Sequence, residues 1–90
     1  VSSLGLSGTL AVDGTMAFAP SGVFAYTGSD LPTRGGESVR VLEASAFEGV
    51  ENLDSWTFDG LPAKRLYRLR IEGNALFLDC VKRGLAVIIR

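Results

Sequence analysis

From Leu4 to Phe18 the large apolar side chains fall on even positions: Leu4, Leu6, Leu10, Val12, Met16 and Phe18. The odd positions hold Gly5, Ser7, Thr9, Ala11, Asp13, Thr15 and Ala17. Successive side chains of an extended chain point to opposite faces, so a period of two predicts strands with one buried face and one face covered by small residues. Within this stretch Gly8-Thr9-Leu10-Ala11-Val12-Asp13 is echoed six residues later by Gly14-Thr15-Met16-Ala17-Phe18-Ala19. A two-residue turn at Asp13-Gly14 would set Val12 against Thr15 and Leu10 against Ala17, large against small. A three-residue loop, or successive strand segments of a solenoid, keeps Leu10 with Phe18 and Val12 with Met16. Register favours these two arrangements, because a one-residue slip throws half the apolar set into water.

The rest of the chain continues the pattern. Eleven glycines among 90 residues leave little room for ordinary helices, since Gly costs about 1 kcal/mol relative to Ala inside one. Val23–Thr27 and Val39–Ala44 read as strands separated by a polar loop over Gly28–Glu37, and Ala44–Asn52 as a helical turn or a loop. Ser55–Phe58 reads as a short strand before the Gly60–Pro62 turn. Leu66–Glu72 and Ala75–Val81 flank Gly73-Asn74, a dipeptide that accepts the positive φ of a tight hairpin. Pairing outward from that turn sets Ile71 opposite Leu76, Leu69 opposite Leu78 and Tyr67 opposite Cys80 on one face. Arg70 then lies opposite Phe77, and Arg68 opposite Asp79, on the other. A turn at Lys82–Gly84 leads to a final strand, Leu85–Ile89. The expected fold is therefore all-β, a β-sandwich or short β-solenoid with a C-terminal three-stranded antiparallel meander. It forms a single module over residues 1–90, with repeat-like strand segments over 1–28 and the meander over 66–90.

Chemistry is scarce. The absence of histidine removes His-based triads, His metal sites and the commonest general base. Cys80 falls on the apolar face beside Leu78, where a thiol is buried and inert, and a single cysteine makes no internal disulfide. Glu48, Glu51, Asp54 and Asp59 are the one carboxylate set that could act as a pair or hold Ca²⁺. They lie in the least regular part of the chain and lack the alternating pattern of a calcium loop, so a solvated acidic loop is expected. No catalytic residue, cofactor site or metal site is assigned, and the chain is read as non-enzymatic.

Net charge is −1, unevenly spread. Residues 43–63 carry Glu43, Glu48, Glu51, Asp54 and Asp59 with no base. Residues 64–90 carry Lys64, Arg65, Arg68, Arg70, Lys82, Arg83 and Arg90 against Glu72 and Asp79. The two blocks neutralise one another within the fold or draw copies together head to tail. Because Arg68 has Asp79 across the strand and the pI is near 5.2, the basic segment reads as a solvated sheet face rather than a nucleic-acid site. Trp56, Phe58 and Tyr26 could form a stacking platform for sugar rings. Large aromatics in a small domain are more often core, since each buries about 150–250 Å². No apolar run approaches the length of a spanning helix. With no basic and apolar leader at Val1, any export signal is expected to be removed or to lie upstream.

Residues 39–90 resemble the C-terminal end of large secreted proteins carrying autotransporter-associated β-strand repeats. The resemblance rests on Val41-Leu42-Glu43-Ala44, on Phe47-Glu48-Gly49-Val50-Glu51-Asn52-Leu53 running into Trp56, and on Gly73-Asn74-Ala75-Leu76-Phe77-Leu78 followed by Arg83-Gly84-Leu85-Ala86-Val87-Ile88-Ile89-Arg90. The stretch at 8–15 looks like one unit of the preceding repeat array. The resemblance implies an exported, β-rich bacterial passenger with surface-display, adhesion or matrix roles and no active site. The expected function is a structural or assembly module of an exported bacterial surface or extracellular protein. It would be a homo-oligomer or polymer, with filament formation one outcome, self-associating by β-strand addition through Leu4, Leu6, Leu10 and Val12. Val1–Val12 holds no charge and no proline, the devices that normally block a sheet edge. The alternatives are a carbohydrate-binding adhesion module taking polysaccharide, or a virion or tail-fibre subunit.

Overall fold

A computed structural model of the protein describes residues 1–62 and 65–81. The chain order is β1 (Ser3–Leu6), β2 (Leu10–Ala17), β3 (Val23–Tyr26), β4 (Ser38–Glu48), a 3₁₀ segment at Val50–Ser55, β5 (Thr57–Phe58), β6 (Leu66–Glu72) and β7 (Ala75–Val81). The protein is mostly β, in two sheets, as the period-two pattern and the spacing of the glycines predict. One sheet has the order β1-β3-β5 and the other β2-β4-β7-β6.

Three of the five described strand pairings are parallel and therefore long-range. β1 pairs with β3 in the register Leu4↔Phe24 and Leu6↔Tyr26, and β3 pairs with β5 through Phe24↔Phe58. In the second sheet β2 runs parallel to β4, with Leu10↔Leu42 and Met16↔Phe47. A parallel pair needs a crossover, and here each crossover travels through the other sheet: β1, β2, β3, β4 and β5 alternate between the two sheets. The two sheets close over one apolar core, whose fully buried side chains are Phe24, Val41, Leu42, Leu76 and Leu78.

Asp13-Gly14 is not a loop. Gly14 sits at φ 116° inside the continuous strand β2, and the register to β4 shifts between Val12 and Thr15. The glycine accommodates an extra residue as a bulge, and the long partner β4 holds both halves of β2 in line. The expected pairs Leu10 with Phe18 and Val12 with Met16 are consequently not made, since the six-residue echo runs along the strand. β4 likewise extends past the expected Ala44 to Glu48, absorbing residues expected as a turn or loop. The turn comes later, where Gly49 at φ 71° opens the 3₁₀ segment; a Cβ there would sit 2.5 Å from the Phe18 carbonyl oxygen.

The β6–β7 hairpin has the register read from the sequence: Ile71↔Leu76, Leu69↔Leu78, Tyr67↔Cys80, Arg70↔Phe77 and Arg68↔Asp79. Gly73 takes φ 61° in the turn. The other neighbour of β7 is β4, paired antiparallel, and the expected third strand of the meander, Leu85–Ile89, lies outside the described residues.

Aromatic side chains pack against one another at the core. Phe18 stacks on Phe47 and meets Trp56 edge-on at 5.7 Å, while Phe24 meets Phe58 edge-on at 6.0 Å. Trp56 Nε1 donates to the Ala19 carbonyl at 3.0 Å and the indole lies directly against Gly22. Such edge-to-face pairs add about 0.5–1.5 kcal/mol each beyond their buried area.

Candidate functional site

The sugar platform is not assembled. Trp56 and Tyr26 are core residues at 5% and 3% exposure, and Phe58 is half-buried against Phe24 and Tyr67. The Tyr26 hydroxyl donates to Asp30, and burial first, then that carboxylate, push its pKa up to about 12. Glu48, Glu51, Asp54 and Asp59 are all exposed, and among the described residues no three potential ligands come together to hold a metal ion. Cys80 is buried on the apolar side of β7.

The buried acid is Asp79, and its environment is structural. It accepts from Arg70 Nε at 2.8 Å and Nη2 at 3.2 Å, and from Arg68 Nε at 3.4 Å. The Arg70 guanidinium also reaches Glu72 and lies 4.7 Å over the Phe77 ring, and the Asp79 hydrogen bond holds it more firmly in its charged form. Arg68 faces Asp79 as read from the sequence, but Arg70 makes the closer bonds. Beside this network, an open concavity of about 640 Å³ crosses the second sheet. Its lining includes Ala11, Ala44, Ala75, Phe77 and the Arg40–Glu43 ion pair.

Strand order creates a different kind of site. Leu4 is in the core, Leu6 and Val12 are half-buried against it, and Leu10 is 42% exposed. Among the described residues all four belong to strands paired on one side only: β1 and β2 are the outer strands at the same end of the two sheets. The opposite end, among the described residues, is formed by β5 and β6.

These four edges are not equivalent. β5 is two residues long, too short to template a partner, and β6 carries Arg68, Arg70 and Glu72. The second half of β2 is interrupted by its bulge and by Asp13. Among the described edges, β1, Ser3-Leu4-Gly5-Leu6, and the first half of β2, Leu10-Ala11-Val12, are longer than two residues and have no charge, bulge or proline.

The direction of the backbone groups on β1 is also fixed. Val23 N–H donates to the Ser2 carbonyl at 3.1 Å and Thr27 N–H to the Leu6 carbonyl at 2.8 Å. Backbone groups alternate between the two edges of a strand, so those of Leu4 and Leu6 serve β3, while those of Ser3 and Gly5 point away from the sheet. Val1, of the same outward parity, is bonded within the chain, donating to the Ala17 carbonyl and accepting from the Ala19 N–H, so the stretch of this edge left unpaired among the described residues is Ser3–Gly5. A Cβ built on Gly5 meets nothing within 4 Å. The lack of charge and proline in Val1–Val12 was the signal in the sequence. What the sequence did not reveal is that this segment fills its own sheets and presents an outer edge.

No family model, curated protein or solved structure matches the chain.

Proposed function

We propose that this protein is a non-catalytic structural module of an exported bacterial surface or extracellular protein, a short β-solenoid that assembles by strand addition at the β1 edge. The observation that carries the reading is the edge of β1, unblocked among the described residues, with the backbone groups of Ser3 and Gly5 directed outward, where the other described edges are short, bulged or charged. Main-chain hydrogen bonding along such an edge supplies affinity without a pocket. Alternation of β1 to β5 between two sheets, with parallel registers in both, is the geometry that stacked strand units require. It supports the resemblance to autotransporter-associated repeat passengers, in which each unit buries its faces against the next. The carbohydrate reading loses its platform, because Trp56 and Tyr26 are committed to the core.

Fractionation of the native cells with an antibody raised against the folded domain tests this function. Antigen at the cell surface or in the medium, in material larger than one chain, is the expected result. Antigen confined to the cytosol as single chains contradicts it.

A further inference from the structure

We propose that the partner at this edge is a second copy of the same chain, joined head to head, with β1 pairing antiparallel to β1 of its mate around a two-fold axis. The proposal rests on the assembly reading above and names its partner. The outward groups dictate the register. In an antiparallel ladder two residues exchange both of their hydrogen bonds, so Ser3 pairs with the partner's Gly5 and Gly5 with the partner's Ser3. Leu4 then stands opposite the partner's Leu4 as the intervening non-hydrogen-bonded pair, its own backbone groups still bonded to β3. The ladder between copies thus uses only groups that the domain leaves unpaired among the described residues.

Three observations favour a second copy in this orientation. First, a head-to-tail contact would set the unblocked β1 and β2 against β5 and β6, the short and the charged edges, whereas head-to-head contact joins two unblocked edges. Second, Val1–Val12 carries no charged side chain, so pairing the segment with itself brings no like charges face to face. Third, Leu4 already belongs to the core, so a Leu4–Leu4 contact makes the two cores continuous. A contact in which the same surface serves both copies is self-complementary and closes as a dimer rather than growing.

Sedimentation equilibrium of the full chain over a wide concentration range tests the proposal, with far-UV circular dichroism on every variant. Wild type should rise from the mass of one chain to a plateau at two. Gly5→Pro removes the outward N–H donor without touching the bonds from β3 and should weaken association at least tenfold. Gly5→Ala keeps the donor and adds a methyl in open space, and should dimerise like wild type. Leu10→Lys charges an already exposed position at the same end and should also weaken association, which keeps the test decisive should Gly5→Pro fail to fold. Growth beyond two chains overturns the head-to-head arrangement while leaving strand addition standing. A chain that stays monomeric throughout overturns both. A dimer that both Gly5→Pro and Leu10→Lys leave intact overturns this interface.

Discussion

Replacing Trp56 by Ala tests whether the aromatic cluster around it belongs to the core. The indole is 5% exposed, meets Phe18 edge-on at 5.7 Å and donates to the Ala19 carbonyl at 3.0 Å. Truncating a buried Trp to Ala costs about 3–5 kcal/mol in lost transfer energy and residual cavity. The Ala19 carbonyl loses its donor, which adds about 1 kcal/mol if water does not replace it. Domains of this size are stable by roughly 5–13 kcal/mol, so the loss removes a large share of the total. Urea unfolding followed by far-UV circular dichroism is the suitable assay, because the substitution deletes the only tryptophan. The midpoint should fall steeply or the chain should be unfolded in buffer. Trp56→Phe, which keeps a ring beside Phe18 but lacks the donor, should fall between. An unfolding free energy for Trp56→Ala within about 0.5 kcal/mol of wild type, the range of ordinary surface substitutions, would refute the core assignment and reopen the sugar platform.

Other perturbations separate the parts of the fold. Gly22→Ala should cost about 1–3 kcal/mol by urea titration, because its Cβ would lie 2.5 Å from the Trp56 ring and 2.6 Å from the Ser2 carbonyl oxygen; Gly5→Ala should be near neutral in stability. Asp79→Ala leaves Arg70 and Arg68 without their shared carboxylate and should lower stability by about 1–2 kcal/mol, a loss that added salt does not restore. Tyr26 is protonated more tightly in the folded chain, where its pKa is about 12, than at its ordinary value of 10, so its contribution is intact below pH 10 and disappears as pH rises through 12. Tyr26→Phe should therefore lose less stability than wild type between those pH values, measured by denaturant titration.

Local pattern was readable in the sequence and long-range pairing was not. Gly73-Asn74 and the alternation on either side of it determine the hairpin register, because every pair from Ile71–Leu76 to Tyr67–Cys80 agrees with one turn. At Asp13-Gly14 an equally local signal misled. The dipeptide suits a turn, but β4 reaches all of β2 and stabilises a bulge instead, and that partner lies some thirty residues away. The same distance hid the order of the strands. Nothing local to Leu4 or Leu10 says that Phe24 and Leu42 will lie beside them, and only that order makes β1 and β2 edges. For the candidate platform, composition gave the aromatic residues but not their facing. Trp56 is turned inward by the Ala19 carbonyl and the bare backbone of Gly22, two partners more than thirty residues upstream.

If the outward half of the β1 backbone is the assembly surface, residue-resolved amide hydrogen exchange will register it. In dilute solution Leu6 N–H, bonded toward β3, should exchange slowly, and Gly5 N–H, directed outward, should exchange fast. As concentration rises, exchange at Ser3 and Gly5 should slow while Leu6 changes little. If Ser3 and Gly5 exchange equally fast across a concentration range in which the mass of the species grows, assembly uses another surface and the account is wrong.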